Sequence, residues 1–287
     1  MKAIFKHELH QYFDSMTAYV FGAFLLLFIG IGSMLYNLRS AVSNFEFVLS
    51  FASIVFVIIV PVLTMRTMAE ERRQKTDQLL YALPVSTTQV ILGKYLALLV
   101  VFAIPLCFVA LYPLLFSRFG EVYLPTAYGS LAAFFLLGAA LMALGLFLSA
   151  LTDSQGLAAG LGAGAILLNY YSVSLSEYVS STAVGSLIAF AVLIVCLVLL
   201  IRVLTRNDFL AAGAGLVLLA LLVGLYLLNG SALEGLLPGI MKTLSLFSRF
   251  SVFVNGVFDL TGVVYYLSVI AFFLFLAVQS MEKRRYN

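Results

Sequence analysis

The chain has 287 residues, of which 63% are hydrophobic and 10% charged, and its formal net charge is +3. A soluble domain carries about a quarter of its residues as charges, so a mean hydropathy of +1.11 excludes a water-soluble enzyme or binding module and indicates a multispanning membrane protein. At roughly 20 residues per span the apolar content allows at most about nine helices and leaves no room for a soluble domain.

The first 16 residues place Phe5, Leu9, Tyr12 and Met16 at helical spacing, with Lys6, His7, His10 and Asp14 opposite. That pattern predicts an amphipathic helix in the interface plane before the chain enters the membrane, and the first apolar run reads as a retained anchor. Eight apolar spans follow, at about 16–38, 46–65, 90–116, 128–151, 156–173, 183–204, 209–228 and 263–281. The expected fold is therefore an all-α polytopic membrane protein, one permease domain over 1–287.

Alternate connections divide the 16 Lys and Arg residues unequally. Twelve lie on the side of the termini: Lys2, Lys6, Arg66, Arg72, Arg73, Lys75, Lys94, Arg202, Arg206, Lys283, Arg284 and Arg285. The other side holds Arg39, Arg118, Lys242 and Arg249. By the positive-inside rule both termini are expected in the cytoplasm.

Two connections are long. Residues 66–89 are rich in charge and helix formers and are stopped by Pro84, which predicts a short helix projecting into the cytoplasm. Residues 229–262 are too apolar for an ordinary loop, carry Phe247, Phe250 and Val254 at helical spacing, and are broken by Pro238 and Gly239. They are expected to form short re-entrant helices in the outer leaflet. A gap lined by Phe247, Phe250 and Phe253 would serve as a hydrophobic gate; anchoring at the interface is the alternative role for the same rings.

No Asp, Glu, Lys, Arg or His falls near the centre of an expected span, which argues against proton- or sodium-coupled transport, although sodium sites built from carbonyls and hydroxyls stay open. No nucleophile with its base, paired-carboxylate site or phosphate loop occurs. His7 and His10 read as polar-face residues, and no metal site is expected; Cys107 and Cys196 sit inside apolar runs. Gly156, Gly160 and Gly164 are spaced for close helix approach, either within the chain or to a second copy. The run Glu70, Glu71, Arg72 and Arg73 precedes Thr76, Leu79, Leu80, Leu83 and Pro84, an apolar edge flanked by charge, which suggests a partner protein.

The stretch MRTMAEERRQKTDQLLYALPVSTTQVILGKYLALL resembles the cytoplasmic segment of bacterial type 2 ATP-binding cassette (ABC) permeases, through Arg66, Glu70, Glu71, Arg72, Thr76, Leu79, Leu80, Pro84, Val85, Ser86, Gly93 and Lys94. LSALTDSQGLAAG at 148–160 resembles a later cytoplasmic turn, and the closing stretch from FSRFSVFV to MEKRRY is similar to the permease associated with gliding motility. The resemblance implies the membrane subunit of an ATP-driven exporter in the bacterial inner membrane. Its partners would be cytoplasmic ATPase subunits that hold ATP and magnesium, a second permease copy or paralogue, membrane lipids, and an extracytoplasmic auxiliary protein; nucleic acid is not among them. The segment 70–84 and the N-terminal helix would dock on the ATPase, with Glu70, Glu71, Arg72 and Arg73 fixing orientation and Leu79, Leu80 and Leu83 supplying buried contact. A non-transporting mechanical scaffold and an ion-coupled secondary transporter are the alternatives. Two departures from the family pattern are visible. Lys75 stands where the family's usual glycine precedes the threonine, which predicts a helical path there, and residues 183–228 add a helical hairpin to a six-span core.

Overall fold

A computed structural model describes residues 1–40, 42–76, 85–179, 181–205, 208–228 and 233–285. Every regular element is helical, and no strand occurs among the described residues. The amphipathic N-terminus forms α1 (Lys2–Asp14), and Met16, held in the left-handed region at φ 57°, turns the chain into α2 (Thr17–Ser33). A π-helical segment, Met34–Arg39, prolongs α2. Then come α3 (Glu46–Ser53), α4 (Phe56–Arg73), α5 (Thr87–Val109), α6 (Leu111–Phe116), α7 (Leu124–Leu151) and α8 (Gln155–Tyr178). The remainder forms α9 (Ala183–Thr205), α10 (Asp208–Leu228), α11 (Leu236–Leu244), α12 (Leu246–Val254) and α13 (Leu260–Arg285).

Local chemistry sets several of these boundaries. Ser86 opens α5 from an extended conformation, and its hydroxyl accepts from the Gln89 N–H at 3.3 Å, satisfying one of the orphan donors of the first turn. Pro125 lies in the first turn of α7, where a missing N–H costs nothing. Between α3 and α4 the chain bends by 58°, and the residues at the break close tight i to i+3 bonds, Val57 N–H to Ile54 at 3.1 Å and Ile58 N–H to Val55 at 2.9 Å. The expected span 46–65 is thus two helices joined at a bend.

Among the described residues five helical stretches are long and apolar enough to cross a membrane: Thr17–Arg39, Thr87–Phe116, Leu124–Leu151, Gln155–Tyr178 and Leu260–Arg284. The bent α3–α4 pair makes a sixth if its two halves are counted as one span. The expected hairpin 183–228 forms α9 and α10, whose described apolar stretches, Ala183–Val195 and Gly215–Leu227, are shorter. The described residues thus support five or six spans, and the eight read from hydropathy are not reached.

The chain divides into two compact units, unit 1 (Met1–Leu168 with Arg249–Asn287) and unit 2 (Asn169–Ser248). At the centre of unit 1 lies α7, packed on α4 and α13. Small residues let those neighbours in. A Cβ on Gly145 would meet the Thr64 hydroxyl of α4, and one on Gly138 would meet the Phe102 ring of α5, both well inside van der Waals contact. Around this contact Phe56 and Phe134 pack with ring centroids 4.6 Å apart, and Phe102 stacks on Phe135 at 5.6 Å. Within unit 2, α9 packs on α10 at Gly215, and Asn169 clamps the α11–α12 turn. Its amide donates to the Leu244 carbonyl at 3.2 Å and accepts from the Leu246 N–H at 2.9 Å.

Candidate coupling site

The chain ends of unit 1 gather beside the charged end of α4. There α1 lies across the start of α5, and Gly93 makes room for it: a Cβ at that position would stand 3.2 Å from the Ile4 side chain. One turn further along α1, Glu8 is buried with 4% exposure, although it carries a carboxylate. Its partner is Lys94, whose ammonium donates to Glu8 Oε1 at 2.5 Å and to Glu71 Oε1 at 2.7 Å. The Lys94 side chain is 1% exposed, so a single buried cation holds α1, the end of α4 and the start of α5 together. Such a group is tolerable only when paired and hydrogen-bonded, and here both conditions hold. A turn beyond, the Tyr12 phenol bonds with the Thr67 hydroxyl at 3.0 Å, and burial pushes the phenol well above its ordinary titration range, so it stays neutral.

A second set of bonds brings in the α7–α8 turn and the last turns of α13. Ser149 accepts from the Met68 and Ala69 N–H groups at 3.2 Å and donates to the Met65 carbonyl at 3.1 Å. Asp153 accepts from Arg284 at 2.6 Å and lies 4.0 Å from the buried Arg72. Glu282 accepts from the Thr87 hydroxyl at 2.7 Å, and Ser280 donates to the Ala150 carbonyl at 3.0 Å. A cavity of about 520 Å³ opens between α1 and α4, with Gln11, Tyr12, Arg66, Glu70 and Glu71 in its walls.

Of the expected coupling residues, Glu71 and Arg72 face inward and hold the fold. Arg73 is exposed, and Glu70 sits on the outer side between Arg66 at 3.9 Å and Gln74 at 3.4 Å. Leu79, Leu80, Leu83 and Pro84 lie outside the described residues. The helical path expected at Lys75 is not found. Lys75 adopts φ 58°, its N–H bonds to the Arg72 carbonyl at 3.0 Å, and the Thr76 N–H reaches back to the Glu71 carbonyl at 2.9 Å. These paired bonds are a Schellman termination, with the lysine in the left-handed position that glycine usually fills. The reason is chain economy: the last carbonyls of α4 need donors, and this turn supplies two at the cost of one strained residue.

On α1 the inward stripe is Ile4, Glu8 and Tyr12, whereas Phe5 and Leu9 are half-buried at its flank. Phe247, Phe250 and Phe253 are all buried. Phe250 packs on Phe134 at 5.9 Å and Phe253 on Phe258 at 5.7 Å within unit 1, and Phe247 packs edge-on against Tyr170 at 4.9 Å within unit 2. Gly156, Gly160 and Gly164 are exposed, and a Cβ at Gly160 or Gly164 would meet nothing within 4 Å; close approaches fall at other glycines instead, Gly138, Gly145 and Gly215 among them. Among the described residues no group of three His, Cys, Asp or Glu side chains is placed to hold a metal ion.

Sequence reading overlooked Glu8, Ser149 and Asp153 as members of this site and placed Lys94 in a motif without a contact. One signal was available. Lys94 stands alone inside an apolar span and Glu8 follows two lysines on an interfacial helix, so each charge needed a mate of the opposite sign.

Residues 6–168, more than half of the chain, match the family model described as ABC-2 family transporter protein. The match takes in the Glu8, Glu71, Lys94 cluster and the α7–α8 turn, ends where the first segment of unit 1 ends, and stops short of the closing stretch from residue 247. No curated protein and no solved structure matches the chain.

Proposed function

The chain belongs to the ABC-2 transporter family and is a permease component of an ABC transporter, and from that premise we propose that it is the membrane-spanning half of an ATP-driven exporter of the bacterial inner membrane. ATP and magnesium reside on separate ATPase subunits, a second permease copy completes the pathway, and both termini face the cytoplasm. The observation that carries this reading is the buried Lys94 bridge between Glu8 and Glu71. It ties three helices into one block at the place where the 70–84 segment leaves α4. A push delivered to that segment by a closing ATPase pair reaches α1, α4 and α5 together, which is what a rigid-body switch requires. The Ser149 and Asp153 bonds extend the same block to the α7–α8 turn and to α13.

The test is co-purification. An unpaired charge forced into an apolar contact costs about 3–5 kcal/mol, enough to dissociate a modest interface. Leu80→Asp is therefore expected to leave the protein in the membrane at normal abundance while the ATPase is lost during detergent purification. Glu70→Lys, at an outward position, should weaken assembly less, because a rim charge changes orientation and rate more than affinity. Glu71 is unsuited to that comparison, since reversing it would set two cations face to face at Lys94. A Leu80→Asp protein that retains its full complement of ATPase and transports normally would remove the 70–84 segment as the coupling element.

A further inference from the structure

The end of unit 1 remote from α1 contains a polar cavity that the coupling site does not use. The chain ahead of α3, the α6–α7 connection and the α12–α13 connection meet there around a half-open cleft of about 430 Å³. Glu46, the first residue of α3, lines it. This residue is 2% exposed; its carboxylate accepts from the Asn44 side-chain amide and from its own backbone N–H, while its Oε2 has no hydrogen-bond partner among the described residues. A buried carboxylate oxygen without a donor is costly, and the usual remedies, a Lys, Arg or His alongside, are missing from the described wall of this cavity.

The remaining wall specifies what would satisfy it. Glu121 adds a second negative charge, Asn255 carries an amide oxygen, and the rings of Phe47 and Tyr123, both exposed, also line it. The α12 end is shaped to present Asn255: Gly256 sits at φ 84°, a conformation that disfavours side chains, and the Val257 N–H returns to the Val252 carbonyl at 3.2 Å. Carboxylates, amide oxygens and aromatic rings without any cation form the complement of an ammonium group, which donates to oxygen and places its methylenes over ring faces. The space falls within the usual size of organic ligand sites, and among the described residues no third His, Cys, Asp or Glu joins the two carboxylates in a metal-binding group.

We propose that this cavity binds an alkylammonium group, with Glu46 as its buried counter-ion and Glu121 strengthening the negative field. The amine is either a soluble one or the head of an amine-bearing lipid, since the recognised chemistry is the same. This assignment is independent of ATPase coupling, so loss of the coupling reading leaves it standing.

The experiment uses the full chain, purified in detergent and also in nanodiscs of phosphatidylglycerol with or without phosphatidylethanolamine. Ethylammonium chloride is titrated by calorimetry against sodium chloride of matched ionic strength. Saturable binding of ethylammonium in detergent assigns a soluble amine. Thermal stabilisation seen only in the phosphatidylethanolamine discs assigns the lipid head. In either case Glu46→Gln is expected to weaken binding by about tenfold or more, as for a desolvated charge pair, and Glu121→Gln by about two- to threefold, as for an exposed one. The exposed position of Glu121 keeps the comparison decisive if Glu46→Gln fails to fold. Absence of binding in both media, unchanged binding in the folded variants, or calcium binding that ethylammonium does not displace would overturn the proposal.

Discussion

Replacing Lys94 by Met removes the cation shared by Glu8 and Glu71 while keeping an unbranched side chain only one atom shorter. Glu8 and Glu71 side chains are 5% and 22% exposed, and each accepts from the same nitrogen, at 2.5 Å and 2.7 Å. Without that nitrogen the two carboxylates stand no farther apart than the sum of those bonds, in a site that water reaches only from the cavity beside Glu71. Breaking a buried pair by removing one partner costs about 3–5 kcal/mol, and one acid must take up a proton or leave the site. With roughly 2–4 °C per kcal/mol for chains of this order of size, the apparent melting temperature should fall on the order of 10 °C. Unfolding in detergent is commonly irreversible, so variants are compared at one heating rate by size-exclusion chromatography of the heated protein. Glu8→Gln alone should cost less, because Lys94 retains Glu71. The double variant Glu8→Gln with Lys94→Met should be more stable than Lys94→Met, giving a coupling of about 0.5–3 kcal/mol. Strictly additive losses, or a Lys94→Met protein as stable as the unaltered one, would refute the idea that this bridge holds the block together.

Gly145→Ala should destabilise by about 1–3 kcal/mol in the same heating assay, because its Cβ would overlap the Thr64 side chain. Gly160→Ala meets nothing within 4 Å and should leave stability unchanged or raise it by up to about 1 kcal/mol through helix propensity. At Lys75, which occupies the left-handed position at φ 58°, substitution by Gly should stabilise the end of α4 by about 1 kcal/mol, and substitution by Val should lower the melting temperature. For orientation, single cysteines in a chain with Cys107 and Cys196 changed to Ser are the measure. Cysteines at Ser154, Asn207 and Ser280 should be shielded from an impermeant thiol reagent in intact cells, while Gly120 and Ser231 positions should label. Labelling at Asn207 from outside would place the 183–228 hairpin the other way round.

Composition and periodicity alone determined that this is an all-helical membrane protein, because an apolar run of about 20 residues has only one way to satisfy its backbone in lipid. The N-terminal helix, the helices within 183–228 and the two short helices before α13 were legible as helices for the same reason: each is a local pattern read within one stretch of chain. The bend between α3 and α4 escaped hydropathy, which is indifferent to direction as long as both halves are apolar. Tertiary structure decided which charges matter. Lys94 and Glu8 are 86 positions apart, and Arg284 and Asp153 are 131 apart, so no periodicity links them. Facing is likewise a property of the assembled helices: evenly spaced Gly156, Gly160 and Gly164 lie exposed, while Gly145, part of no repeat, receives the closest helix. Lys75 shows the remaining limit, since a side chain that prefers helix was carried into a left-handed turn by the unmet carbonyls of α4, a demand that belongs to the helix end and is invisible in the residue itself.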